Sequence, residues 1–375
     1  MSTVILIGLH GLLLLLAVAG FVVTFLPAWP TDLWWVRYLD YPRLEVLVAM
    51  AVVLALLIFL PRRDRWSLYC AAVLAAAIAW DAVLLAPYIA PLVTPWPSPE
   101  VASETCPAGE RLRILTVNVQ MTNQHDHRLF DIVLQADPDI AWFQETDAWW
   151  EGELAPLSVR MPHGVAQAQE NYFGVHLFSR LPLKDIEIRQ LTSSRNPSVF
   201  TTATLPSGDL VKLYAIHPRP PQVGQSTAER DAQLMATALA ASEDALPHVV
   251  MGDLNAVPWD GTLRHFRHLG SFGDPRVGRG LFMTWHAEHP LLRWPLDHVL
   301  PGPGWSLAAM RVLPAFGSDH LPLLVDLCRQ RGTMARPARH LDEVARARRT
   351  VAQGQGKAVG REAASLPGAG NGDRD

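Results

Sequence analysis

HVVMGDLN, residues 248–255, decides the reading of this chain. His248, Val249, Val250 and Met251 form a short, mostly apolar run of the kind that makes a buried strand. Gly252 closes the run, and Asp253 and Asn255 stand two apart where it stops. A strand end is where a rigid scaffold hands polar side chains to a shared cleft. Taken alone, an Asp-x-Asn at such a place is more often a capped turn.

The same arrangement recurs on both sides of it. Residues 111–119 alternate around Leu112 and Ile114 and close with Asn118. WFQET, residues 142–146, ends an apolar run on Glu145. IHP, residues 216–218, ends another on His217. LDHV, residues 296–299, carries Asp297, and GSDHLP, residues 317–322, carries Asp319 and His320. Further strands are expected at 172–178, 184–191, 198–205, 210–217, 307–313 and 320–327, with helices at 126–135, 227–241 and 259–268. Many short strands with a few intervening helices point to a layered α/β sandwich rather than a barrel of regular βα units.

Upstream the composition changes. Residues 4–26 hold no Lys, Arg, Asp or Glu, and at ~1.5 Å per residue such a helix spans a ~30 Å hydrocarbon core. The length, and the absence of a positive leader and of a small-x-small site, favour an anchor over a cleaved signal peptide. Residues 44–60 and 67–85 are two more candidate spans, so three transmembrane helices are expected over residues 1–86. Trp29, Trp34, Trp35, Tyr38 and Tyr41 fill the first connection and suit a membrane–water interface. Arg62, Arg63 and Arg65 cluster in the second, which the positive-inside bias puts in the cytoplasm. The rest of the chain then lies outside, as in an integral protein of a bacterial inner membrane. Asp81, near the end of the third helix, is expected to reach water at the outer boundary. Pro87, Pro91, Pro95, Pro97 and Pro99 make a stiff linker over 87–110. A catalytic unit is expected at 111–328. The Arg-, Ala- and Gly-rich residues 329–375 are expected to be largely disordered, with a short helix at 341–351.

Charge bounds the partners. Residues 100–328 carry a net charge of −9 and residues 329–375 one of +5. A domain that grips nucleic acid nonspecifically needs a basic face, and this acidic one lacks that signature overall. Three cysteines make neither a disulfide framework nor a zinc site.

The order Asn118, Glu145, His217, Asp253-x-Asn255, Asp297, Ser318–Asp319–His320 resembles the endonuclease/exonuclease/phosphatase superfamily over the whole of residues 111–327. The helical N-terminus is similar to a bacterial membrane-bound branch. The resemblance implies a four-layer αββα sandwich and hydrolysis of a phosphodiester or phosphomonoester. Mg²⁺, or Mn²⁺ on the same ligands, would be held by Glu145 with Asn118 and Asp319. It implies that Asp253 positions or deprotonates the attacking water and Asn255 holds a phosphate oxygen. His320, held by Asp297, contacts the scissile phosphate, and His217 is a second phosphate contact or a general acid. The base assignment stays open between Asp253 and His320. Elementary chemistry agrees with several of these roles. A hard cation takes oxygen ligands, and a carboxylate on one ring nitrogen fixes a histidine's tautomer. His298 alternates with Asp297 and is expected to face away from the site.

Arg219, Arg293 and Trp285 lie in loops beside these motifs as candidate substrate contacts. Trp149 and Trp150 are expected to be buried helix contacts. The resemblance implies that the substrate is a phosphate ester carried by a lipid, a nucleotide or a nucleic acid. A nuclease and a non-catalytic receptor on the same fold are the competing readings, and no protein partner is inferable. In this superfamily the first and last strands lie antiparallel side by side, which brings Cys106 and Cys328 toward one edge. Both a bridge and two unrelated thiols remain open there.

Overall fold

The structure is a computed structural model and describes residues 3–59, 64–89, 105–124, 128–193, 195–330 and 340–364. Four helices come first: α1 (Thr3–Phe25), α2 (Trp34–Tyr38), α3 (Arg43–Phe59) and α4 (Arg65–Leu85). Eleven strands and five more helices follow. They are β1 (Arg111–Asn118), α5 (Arg128–Ala136), β2 (Ile140–Gln144), α6 (Ala148–Leu154), β3 (His163–Gln167), β4 (Val175–Ser179), β5 (Leu183–Arg189), β6 (Ser198–Thr204), β7 (Leu210–Ala215), α7 (Ala228–Glu243), β8 (His248–Asp253), α8 (Gly261–Leu269), β9 (Asp297–Pro301), β10 (Trp305–Val312), β11 (Leu323–Arg329) and α9 (Leu341–Ala364).

One sheet has the order β10-β11-β1-β2-β4-β3, the other β5-β6-β7-β8-β9. Their inner faces share a core that includes Ile114, Trp142, Leu213, Val249, Met251 and Val325. Phe143, Val133 and Trp150 pack α5 and α6 on the outside of the first sheet. Tyr214, Leu234, Phe266 and Ala347 pack α7, α8 and α9 on the outside of the second. This is the expected αββα sandwich. Strands with apolar residues on both faces arise because each sheet is covered twice. The edge strand β3 and the bounds of helix α6 were not legible in the sequence, although Trp149 and Trp150 are expected as helix contacts. β3 is mostly exposed and carries no apolar alternation.

Four expectations are corrected. First, α1, α3 and α4 all form, but among the described residues only Ile7–Ala28 and Arg65–Tyr88 are long and apolar enough to cross a membrane. α3 has 17 residues, a little short of a ~30 Å core at ~1.5 Å per residue. Second, Asp81 does not reach water. It is fully buried, with Arg43 Nη1 at 2.5 Å and Thr24 Oγ1 at 3.2 Å, because Arg43 at the start of α3 turns inward to it. Third, the first connection does not simply lie on an interface. Its Asp32, Arg37, Tyr38 and Tyr41 dock on the sandwich, while Trp29 and Trp35 stay exposed. Tyr88, just past Pro87, is buried on Trp259 as well, whereas Arg62, Arg63, Pro91, Pro95, Pro97 and Pro99 lie outside the described residues.

Fourth, the tail carries a 24-residue helix, α9, that packs against α7. A Cβ on Gly354 would lie 2.2 Å from Ala232 Cβ and 2.4 Å from the Ala228 carbonyl oxygen, so the helices touch backbone to backbone there. Arg361 makes a two-pronged bond to Glu229 at 2.8 and 2.9 Å. Gly354→Val is expected to pry α9 from α7 and cost about 2 kcal/mol, as overpacking does. Chemical denaturation and protease cutting within 341–364 would check this, and an unchanged denaturation midpoint would refute the docking.

Cys106 and Cys328 are joined in a disulfide with Cα atoms 5.8 Å apart. Arg111 pairs with Cys328 in the β1–β11 register, so the bridge sits where the strand nearest the N-terminal helices meets the last strand. Trp150 is buried, as expected of a helix contact.

Candidate active site

Parallel and antiparallel pairing brings the polar strand ends to one end of the sandwich. β1 and β2 run parallel, with Asn118 beside Gln144, and Glu145 follows directly. β7 and β8 run parallel, and His217 lies two residues past β7. β9 runs antiparallel to β8 and sets Asp297 opposite Asp253. β11 runs antiparallel to β1, so His320, just before it, arrives at the same end.

Local backbone turns these side chains inward. Glu145 and Asn255 have φ of 62° and 50°, in the left-handed region that side chains other than glycine rarely adopt. Gly252 has φ of 140°, and a Cβ there would meet the Ile216 carbonyl oxygen at 1.9 Å. That position accepts only glycine, because β8 and the end of β7 approach too closely for a side chain.

A continuous chain of contacts crosses both sheets. Asp297 Oδ2 lies 2.8 Å from His320 Nδ1. His320 Nε2 is 3.5 Å from Asp253 Oδ2. Asn118 Nδ2 donates to Asp253 Oδ2 at 3.2 Å and to Glu145 Oε1 at 2.9 Å. His217 Nε2 stands 3.8 Å from Asp253 Oδ2 and 3.9 Å from Glu145 Oε1. Among the described residues, neither ring nitrogen of His217 has a hydrogen-bond partner, although the ring is buried. Asn255 Nδ2 donates to the Pro218 carbonyl at 2.9 Å and retains a second N–H.

Supporting groups appear that the sequence did not reveal. Gln144 Oε1 accepts the backbone N–H of Asp253 at 2.5 Å, tying one sheet's end to the other's. Gln120 Oε1 accepts the Asp319 N–H at 3.0 Å, and Thr284 Oγ1 accepts that of Asp297 at 3.2 Å. Tyr41 and Arg230 both donate to the Asn255 carbonyl, at 2.8 and 3.0 Å, and hold that residue in its turn. The signal for Gln144 was its place in a buried strand, since a polar side chain between two sheets needs a partner.

The electrostatics divide the cluster. Burial alone would lower His320, but Asp297 and Asp253 override it and raise its pKa, which keeps the ring an imidazolium. Burial alone would raise Asp297, but His320 holds it below the ordinary carboxyl range. Asp253 goes the other way: burial pushes it up, against the pull of His320. His217 is driven down to about 3 by burial and by the charge on His320, so it is a neutral ring. Burial raises Glu145, and Asp319 adds to that rise against the bond from Asn118.

Asp253, Asp297 and His320 also hold ligand-capable atoms within 4.8 Å of one another. Asp297 Oδ2 and His320 Nδ1 are used on each other, which leaves Asp297 Oδ1 and His320 Nε2 as the remaining ligand-capable atoms of that pair. Glu145, Asp319 and the Asn118 amide offer oxygen donors at the cluster's other end. Two carboxylates with mutual repulsion and few partners fit a hard divalent cation.

Trp285 donates from Nε1 to Asp319 Oδ2 at 2.9 Å and lines the cleft. Arg219 lies over the Phe173 ring and bonds Gln225, and Arg293 bonds the carbonyls of His286 and Ala287. Neither arginine lines the cleft. His298 faces away, as expected, onto the Ala256 carbonyl and Arg276.

The first connection is keyed to the site by a buried ion network. Asp260 lies 3.3 Å from Arg37 and 3.3 Å from Arg230, which itself holds Asn255. Burial opposes ionisation of Asp260, yet Arg37 and Arg230 hold it down at about 2. A depressed carboxyl stabilises the fold above its unfolded pKa of ~4, and that contribution is lost as pH falls toward 2. Arg37→Ala breaks the buried pair and is expected to cost roughly 3 kcal/mol near neutral pH, shrinking as the pH is lowered through this window. Denaturation of both proteins across pH 2–7 would check it, and a difference that did not change with pH would contradict it.

Two sheets, covered on both outer faces by helices and closed at one end by this cluster, define an αββα sandwich with a candidate site in a strand-end cleft. The model of the Endonuclease/Exonuclease/phosphatase family matches residues 115–320, more than half of the chain, and the chain belongs to that family. A search of curated proteins gave no match. Among solved structures, D. rerio TDP2 humanized by 14 mutations is 16% identical with a TM-score of 0.50, over 58% of this chain and 99% of that one. The human nocturnin catalytic domain with bound sulfate is 18% identical with a TM-score of 0.48, over 62% and 97%. Sphingomyelinase C from Streptomyces griseocarneus is 19% identical with a TM-score of 0.43, over 58% and 99%.

Proposed function

We propose that this protein is a Mg²⁺-dependent phosphoesterase, anchored in the membrane by its N-terminal helices, that hydrolyses a phosphodiester or phosphomonoester with water. The observation that carries the reading is the unbroken chain Asp297–His320–Asp253–Asn118–Glu145 across both sheets. Family membership supports the same chemistry.

Each group has a task its surroundings suit. Glu145, Asn118 and Asp319 would hold the cation, which supplies charge stabilisation at a phosphoryl oxygen when bound. Asp253, raised by burial and close to His320, orients water and accepts its proton. His320, kept charged by Asp297, faces the phosphoryl group, and the second N–H of Asn255 reaches another of its oxygens. His217, neutral and with free ring nitrogens, is a further phosphate contact. A general acid role for His217 fits less well, because a ring held at about 3 carries no proton to give near neutral pH.

The anchor rests on the two long apolar helices and on the exposed Leu12, Leu15, Leu68 and Val83 of the bundle, which suit lipid better than water. The sandwich docks at the bundle end formed by residues 25–43 and 85–89, with residue 64 at the other end. Together with the positive-inside expectation, this supports an extracytoplasmic catalytic unit. The full-length protein in detergent, assayed with bis-p-nitrophenyl phosphate and p-nitrophenyl phosphate, is expected to turn over with Mg²⁺ and to stop with EDTA. A reporter fused after residue 364 should be active only outside the cytoplasm. No turnover on either ester at any Mg²⁺ or Mn²⁺ concentration would favour a non-catalytic receptor.

A further inference from the structure

The cleft is not made by the sandwich alone. Trp34, Tyr38 and Tyr41, from the connection between α1 and α3, form one wall of a cavity of about 440 Å³ whose floor is Glu145, Asp253, Asp319 and His320. Tyr41 packs against Trp285 and Trp294, and Tyr38 against Trp294, so the aromatic wall is continuous from the anchor to Asp319. Pro220, Pro221 and Val223 also line it, and Val223 is 79% exposed. Trp29, Leu33 and Trp35, on the same connection, are exposed apolar groups at the end of a helix fit to cross a membrane.

We propose that the phosphate ester taken by this site is the headgroup ester of a membrane lipid, which slides from the bilayer surface along the Trp34–Tyr38–Tyr41 wall. The proposal rests on the phosphoesterase reading above and adds the substrate class. Two observations carry it. The wall is contributed by the segment that ties a membrane-spanning candidate to the sandwich, so the cavity lies beside the end of that helix. Among the described residues, the lining holds no Lys or Arg. A nucleic-acid strand needs cationic groups along its backbone. A lipid needs only the reacting phosphate held, with apolar and aromatic surface for the glycerol and upper chains. Trp and Tyr are the side chains suited to that boundary.

The test uses the full-length protein in nanodiscs. The substrates are long-chain phosphatidic acid and phosphatidylglycerol in the same bilayer, their dihexanoyl analogues in solution, bis-p-nitrophenyl phosphate and a single-stranded DNA oligonucleotide. For at least one headgroup, kcat/KM for the long-chain lipid is expected to exceed that of its dihexanoyl analogue by about tenfold or more. Trp34→Ala and Tyr38→Ala are expected to bring that ratio toward one, and Trp34→Phe to restore it. Turnover of the generic ester without a long-chain preference, or faster cleavage of DNA, would overturn the lipid assignment and leave the phosphoesterase reading standing. A preference that Trp34→Ala left unchanged would also overturn it, by separating the wall from the selection. Inertness toward every substrate would overturn both readings.

Discussion

His320→Ala and Asp253→Ala are each expected to lower kcat by roughly 10³-fold, and the double variant to lose little more than the worse single one. The two side chains are 3.5 Å apart and share one electrostatic balance: His320 is raised largely by Asp297 and Asp253, and Asp253 is pulled down by His320. Removing the imidazolium leaves a buried carboxyl with weaker reason to ionise. Removing the carboxylate leaves water without a positioned acceptor. Either loss disables the same transition state, so the second costs little. The check is a double-mutant cycle on the generic ester at saturating Mg²⁺. Fully multiplicative losses would show that the two act in separate steps. Asp297→Asn should fall between wild type and His320→Ala, because it keeps the ring's neighbour but removes the charge that holds the imidazolium.

Glu145→Gln is expected to abolish most Mg²⁺-dependent turnover, by on the order of 100-fold or more, while leaving thermal stability equal or slightly raised. The carboxyl is held above its usual range by burial and by Asp319, so its charge is costly in the absence of a cation. The amide removes that cost and keeps the shape, and one of its groups can still meet Asn118. A ligand role therefore predicts opposite signs for activity and stability. Wild-type activity across a Mg²⁺ titration would refute the metal assignment. A large drop in melting temperature without added metal would show that Glu145 is needed for the fold instead.

The docking of the first connection makes the sandwich dependent on the N-terminal segment. A fragment cut to residues 100–328 lacks Tyr41, which donates to the Asn255 carbonyl, and Arg37, which holds Asp260. It also lacks α9, which covers α7. Asn255 sits in a left-handed turn and depends on those donors to stay there. The N-terminal segment is thus part of the candidate site's support, and the full chain is the unit to assay.

Much of this protein is determined locally and was open to reading from the chain alone. The strand runs from residue 111 onward follow from apolar patterning. The polar residues at their ends, Asn118, Glu145, His217 and Asp253 where strands finish and Asp297 and His320 where strands begin, meet because sheet pairing carries those ends to one side. The three apolar helices form where their composition placed them. What only the tertiary structure decided is long-range and depends on shape. Nothing in the local pattern assigns Tyr41 to Asn255, Gln144 to the Asp253 backbone, or Cys106 to Cys328. The aromatic-rich first connection looked like an interface segment because Trp and Tyr serve equally at a bilayer and in a cavity wall. Asp81 is buried because Arg43, 38 residues earlier, turns toward it. The Gly- and Ala-rich end of the chain has the composition of a disordered tail, yet its small side chains are what allow α9 to reach the backbone of α7. Composition records what a segment lacks, and only the surface it meets decides whether that lack is disorder or close packing.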